Sequence, residues 1–416
     1  MLNKIKNEIG QFNKQPHNFR ILVLTNLVYA FVLPVIDIFV AAYVMRNSND
    51  PVKVVVYQLT IYTGIPLTFL LNGVLLRYFN IKSLYAAGMM LSAVSMIIMM
   101  SLKTLNLTGI GIAGIIMGIS FGFYWANRDY LALATTSDHN RNYYYGLETF
   151  FYTIIAVVVP VFIGWFIELH HGNTEIHKAY KIITGLVLLI TVIASVVCYK
   201  GSFGNPVNNK YIYLKFHPLW NRLLVMALLK GLAQGFLVTA PAMLIMLILG
   251  KEGTLGTVQS AGAVFAALIM YILGRFTGPA HRIRIFTAGL VLFALAALLN
   301  GILFNKTGVL LFMLCLLIAK PLLDLAYFPI QFRVIDVVSK IENRGEFAYI
   351  LNHETGLYAG RFLGAGTFIV LAYALSTEIA LRYAIIIIAL FQLASVMVAK
   401  KIIRQANLLA KVNSIN

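Results

Sequence analysis

Charge is what this sequence has least of. Only 12% of its residues are Asp, Glu, Lys or Arg, about half the share of a soluble domain. So small a supply cannot cover a water-facing surface. That excludes a soluble globular protein and places most of the surface in lipid. The two cysteines, Cys198 and Cys315, each lie inside an apolar run. They exclude a disulfide framework or a thiolate metal centre and read as lipid- or core-facing thiols. A Gly-rich loop ending in Lys-Ser/Thr is missing, and so is any polar stretch long enough to be a soluble domain. Direct ATP use, an enzyme site and a bound cofactor are therefore not expected. Alternation over about 10 residues, the mark of a transmembrane barrel, is absent. The N-terminal stretch is basic and polar and leads into a long span without a small-residue cleavage site, so a removable leader is not expected either.

What is there is apolar: 60% of 416 residues. They gather in runs of roughly 20, the length that crosses about 30 Å of hydrocarbon as a helix. Runs at 20–45, 54–76, 83–102, 108–133, 144–167, 178–199, 221–249, 254–274, 284–304, 307–331, 346–374 and 378–402 predict an all-α integral membrane protein of twelve transmembrane helices. The first six, within residues 1–200, and the last six, within 221–416, flank a polar segment at 201–220 that reads as a cytoplasmic linker between two bundles.

The net charge of +18 would suggest nucleic acid in a soluble protein. Here the basic residues sit at helix ends, so no nucleic-acid partner is expected. About two thirds of the 33 Lys and Arg fall on the side holding both termini and about a quarter on the other. That bias puts both termini in the cytoplasm of a cell (inner or plasma) membrane.

The two halves also repeat. Phe123–Arg141 (FYWANRDYLALATTSDHNR) aligns without a gap to Ala326–Arg344 (AYFPIQFRVIDVVSKIENR). Tyr124 matches Tyr327, Trp125 faces Phe328, and an acid follows each segment, Glu148 and Glu354. Spans two and eight end in Arg77-Tyr78 and Arg275-Phe276, each followed by a basic turn. Six plus six helices, this turn and the central linker resemble the major facilitator superfamily over nearly the whole chain. Of that family's motif after span two, Gly73, Leu75 and Lys82 fit, while Arg77 stands where Asp is expected and Asn80 replaces the second Gly. Of the span-five antiporter motif, Gly146, Pro160 and Gly164 fit; Ile155, Val159 and Ile163 depart. The span-four motif is not recognisable, and no subfamily is identified. The resemblance implies a monomer that rocks one bundle against the other around a site between them.

A charged group inside a span is costly and is functional by default. Asp37 follows Pro34 in the outer half of span one; it is either a proton-coupling acid or an interfacial residue. Glu148, about five residues into span five, could take a proton from the cytoplasm, since a carboxyl out of water holds a proton more readily, or could form an ion pair with Arg128. The two readings are compatible. Glu354 lies roughly 13 Å into span eleven at 1.5 Å per residue. With Asn352, His353, Tyr358 and Arg361 it forms a polar stripe, serving substrate and proton or tying spans ten and eleven together. Lys320 and Asp324, four apart around Pro321, are expected to pair on one face of span ten, unless an anionic substrate competes for Lys320. Lys230, near Gly231, Gln234 and Gly235, has no acid within a turn. It meets an acid from another span, with Asp37 a candidate, or a substrate carboxylate or phosphate, or else snorkels about ten residues to the inner edge.

Tyr124, Trp125, Tyr327 and Phe328 read either as a gate or cavity lining or as an interfacial aromatic belt, and Tyr143, Tyr144 and Tyr145 as belt. The glycines from Gly109 to Gly122 read as close helix packing. The outer turn with Glu168, His170, His171 and His177 is not assigned a metal. Residues 402–412 read as an amphipathic surface anchor.

The expectation is a secondary active transporter, proton-coupled through Glu354, Glu148, Asp37 and Asp324. It would move a small polar or anionic organic solute past Lys230, Lys320 and Arg361. Its partners are membrane lipid, that solute and the proton. A drug or amphiphile antiporter and a lipid flippase are alternatives on the same frame. A non-transporting receptor or scaffold is the alternative of another class.

Overall fold

A computed structural model describes residues 9–136, 138–170, 172–205, 213–276 and 279–413. It holds twelve helices long and apolar enough to cross a membrane: His17–Ser48, Pro51–Leu75, Ile81–Ser101, Leu107–Ala132, Tyr143–Glu168, Thr174–Tyr199, Pro218–Ile248, Glu252–Leu273, Arg282–Leu303, Lys306–Glu342, Ala348–Ala374 and Thr377–Leu409. They are called spans one to twelve. Because direction alternates, both ends of the described chain lie on one side, the terminal side; the opposite one is the far side. Much of the polar segment proposed as linker, 206–212, lies outside the described residues, as does His171 of the outer turn.

The helices start where their caps place them. Asp50, Asn106, Asn305 and Ser376 each accept a hydrogen bond from a backbone N–H of the first turn of spans two, four, ten and twelve. All four caps stand on the far side, where short turns must reverse the chain abruptly. Two spans outrun their apolar stretch on the terminal side. Span ten continues to Glu342, where Asn343 ends it in the left-handed region at φ 47°. The last helix, Ser395–Asn413, extends past residue 402, and Arg222 of span seven ties to its Gln405 at 2.6 Å. Hydropathy marks the bilayer, not the helix end.

Tight packing sets the geometry inside each half. A side chain at Gly64 of span two would bring its Cβ to 2.8 Å from Gly118 Cα of span four, and Gly114 and Gly122 lie equally close to span two, so these three of the stripe serve packing. A side chain at Gly360 of span eleven would put its Cβ 2.7 Å from the backbone N of Leu232 in span seven. This second approach holds Lys230 and Arg361 on facing helices.

The repeated segment is not treated alike in the two halves. In span four the helix stops at Thr135 and Thr136 is extended; its counterpart in span ten stays helical to Glu342. Span one is also irregular. After Pro34 the residues Val35–Phe39 form a π-helical turn before α-helix resumes at Val40. Asp37 stands in its middle.

Candidate functional site

The halves meet on the far side and in the middle. Arg46, at the end of span one, makes a two-pronged ion pair with the buried Glu252 at the start of span eight. Arg46 also donates to Gly250 O at 3.2 Å, and Tyr180 donates to Glu252 at 3.3 Å. Glu168 accepts from Gly253 N at 3.0 Å and Trp165 donates to Thr257 at 3.2 Å. Spans five and eight close the seal, Gly164 against Gly256. Nearer the middle, Tyr62 donates to Gln234 O at 3.3 Å and Thr63 approaches Tyr358 Oη at 3.4 Å.

On the terminal side of this seal lies a cavity of about 810 Å³, within the roughly 300–1,000 Å³ range of small-molecule sites. Both halves line it. Its wall is mainly apolar, with residues such as Leu33, Ile38, Ile61, Phe121, Ile155, Phe293 and Met313. Its polar lining includes Asp37, Gln58, Tyr152, Lys230, Gln234, Lys320, Asp324 and Tyr327.

Lys230 donates to Asp324 at 2.9 Å. Its ammonium also sits 4.1 Å and 4.0 Å from the ring centroids of Tyr327 and Phe328, so one carboxylate and two π faces share a single cation. This corrects one expectation and meets another: Asp324 pairs with Lys230 and not with Lys320, and Lys230 has its acid from another span, Asp324 in place of the candidate Asp37. The helix spacing allowed a Lys320–Asp324 pair, but span seven delivers a cation to the same carboxylate.

Arg361 and Glu354 do pair, at 3.3 Å, one layer behind the lining. Arg361 also donates to Gln234 at 3.0 Å and lies 4.6 Å from the ring centroid of Tyr62. The other members of the stripe are turned elsewhere. His353 is buried and hydrogen-bonds Tyr327 Oη at 2.6 Å; Asn352 accepts from Trp220 at 2.7 Å. Spans ten and eleven are therefore tied through Tyr327 and His353, while Tyr358 faces span two.

In the first half, Arg128 holds Glu148 through both carboxylate oxygens, as the matched depths predicted. Around this pair stand residues the sequence did not single out. Asn26 donates to Glu148 at 2.9 Å and to Tyr144 at 2.8 Å, and accepts from Tyr85. The only sequence signal for Asn26 was an amide in an apolar run. Tyr144 is fully buried here, which corrects its reading as belt. Of the two readings of Tyr124 and Tyr327, burial excludes the belt for both, and Tyr327 lines the cavity. Tyr124 meets Tyr152 through its hydroxyl at 3.0 Å, and Tyr152 lines the cavity. Trp125 is half-buried with the Arg128 guanidinium 5.5 Å from its ring, whereas Phe328 stays exposed. Among the described residues no cluster of three or more His, Cys, Asp or Glu is arranged to hold a metal.

No family model matches the chain. It is 22% identical over 395 residues to the uncharacterized protein YqgE of Bacillus subtilis, covering 94% of this chain and 90% of that one. Solved structures share its fold at lower identity. A bacterial homologue of the iron transporter ferroportin, in an inward-facing state, superposes with a TM-score of 0.67 at 14% identity, covering 94% of this chain and 98% of that one. A POT family transporter gives 0.66 at 14% identity over 93% and 97%, and the nucleoside transporter NupG 0.66 at 12% over 93% and 99%. The chain is an integral membrane protein of twelve helices in two pseudo-symmetric six-helix bundles, the major-facilitator type of fold found in these transporters.

Proposed function

We propose that this protein is a secondary active transporter that moves a small polar or anionic organic solute by alternating access, coupled to protons. The observation that carries the proposal is the cavity between the halves, sealed at Arg46–Glu252 and lined deep inside by charged side chains. A scaffold has no use for such groups at membrane depth, where each is expensive to hold. With both termini in the cytoplasm, the orientation that the positive-inside bias supports, the cavity lies on the cytoplasmic side of the seal, and breaking that seal would give access from outside. In this reading residues 1–200 and 221–416 are the two rocking units.

The proton role falls to acids held in breakable pairs: Asp324 against Lys230 at the cavity wall, and Glu354 against Arg361 one layer behind it. Neutralising either acid frees its cation, so proton binding changes the charge that a solute meets. Glu148 is enclosed by Arg128, Asn26 and Tyr144, which supports a structural role for it.

The test is reconstitution in liposomes with labelled small organic anions, with and without an imposed inward proton gradient. Gradient-driven accumulation that Glu354→Gln abolishes, in protein that unfolds at the wild-type temperature, is the expected result. If anions, amphiphilic cations and neutral amphiphiles all stay at background in exchange as well as in accumulation, the transport reading fails and the scaffold reading takes its place.

A further inference from the structure

Among the described residues four charged side chains line the cavity, and two of them cancel. Lys230 and Asp324 satisfy each other, leaving Asp37 of span one and Lys320 of span ten. Both are exposed to the cavity, and neither has a hydrogen bond or direct ion pair among the described residues. They belong to opposite halves and line the same cavity. Arg361, a third cation the sequence offered to an anionic solute, is already taken by Glu354, Gln234 and the Tyr62 ring. The open groups are therefore one carboxylate and one ammonium, not a cluster of cations.

We infer that the solute is a zwitterion with an apolar body, its cationic end on Asp37 and its anionic end on Lys320, spanning the two halves. This rests on the transport reading and narrows it. A simple anion would leave the Asp37 carboxylate unpaired and facing it across the cavity. A simple cation would do the same to Lys320. A solute carrying both charges satisfies both groups in their ionised forms. The mainly apolar wall accounts for the rest of the molecule. The arrangement also gives the solute one grip on each half, so its binding draws the halves together around it.

The test measures binding, so that it stands apart from transport. Purified protein in nanodiscs is titrated calorimetrically with leucine, 4-aminobutanoate, 6-aminohexanoate and 8-aminooctanoate, which set different distances between the two charges. Each is compared with its deaminated acid and its decarboxylated amine. At least one zwitterion is expected to bind about tenfold or more tightly than both of its single-charge analogues. Asp37→Asn should remove that advantage while sparing the acid, and Lys320→Gln should remove it while sparing the amine. The double reversal, Asp37→Lys with Lys320→Asp, should restore preference for the zwitterion over both analogues if the singles unfold. The inference is overturned if the acid or the amine binds as tightly as every zwitterion, or if neither substitution changes the preference. A zwitterion that binds but never crosses the liposome membrane would sink the transport reading and leave the binding assignment standing. Transport of acids without any zwitterion preference would do the reverse.

Discussion

The two halves each bury an Arg–Glu pair at the level of the repeat, and they use it differently. In the first half the Glu148 side chain is 6% exposed, and Arg128, Asn26 and Tyr144 surround it. In the second, Glu354 and Asp324 keep 27% and 29% exposure and one cation each. A carboxylate with several fixed donors has nothing to gain by moving. A carboxylate with one partner and part of its surface open exchanges partners at lower cost. The same duplicated chemistry is thus a closed clamp in one bundle and a more open pair, poised to exchange partners, in the other. The aromatic repeat follows the same division: Arg128 rests against Trp125 away from the cavity lining, whereas Lys230 rests against Tyr327 at the cavity wall.

The comparison can be broken by removing partners one at a time. Arg128→Met leaves Glu148 as a buried charge without its cation and is expected to cost about 3–5 kcal/mol, read as a large fall in thermal unfolding temperature in detergent. An equal fall for Arg361→Met would refute the distinction between clamp and poised site. Asn26→Ala should come next, at about 1–3 kcal/mol, since Tyr85, Tyr144 and Glu148 each lose a partner. Lys230→Met should cost less stability, about 1–2 kcal/mol, because the partly exposed Asp324 can be hydrated or protonated. Its larger effect should be on solute accumulation in liposomes. Asp129→Asn belongs at the bottom of the order, within about 0.5 kcal/mol. Asp129 bonds Arg128 at 2.6 Å but is half exposed, so a large effect there would shift the weight of the clamp away from Glu148.

The sequence carried most of the fold because bilayer thickness and hydropathy dictate span number. It misplaced the ends of spans ten and twelve, where helix continues beyond the apolar run. Among the site residues, Arg128–Glu148 was legible from matched depth and Glu354–Arg361 from a shared helix face. Lys230–Asp324 was not, since 94 residues separate the partners and only the packing of span seven against span ten joins them. The local Lys320–Asp324 spacing looked sufficient on its own. Tyr144 was misread as belt, and Tyr124 and Tyr327 were left between lining and belt, because distance along a helix gives depth but not which way a ring faces. Arg46–Glu252 escaped notice for a related reason: charges at helix ends ordinarily meet water, and nothing local says that two such ends from opposite halves will close on each other.

The π turn at Val35–Phe39 takes one residue more than an α-turn of the same length. Each residue of a regular α-helix advances the face by about 100°, so without the bulge that extra residue would swing Arg46 away from Glu252. Absorbed in the π turn, it leaves the helix on either side nearly in phase, and the bulge falls where Asp37 stands. Deleting one residue from this stretch should therefore leave Arg46 on Glu252 and move Asp37 alone. The irregularity acts as a spacer: it presents one carboxylate to the cavity without disturbing the seal some nine residues away.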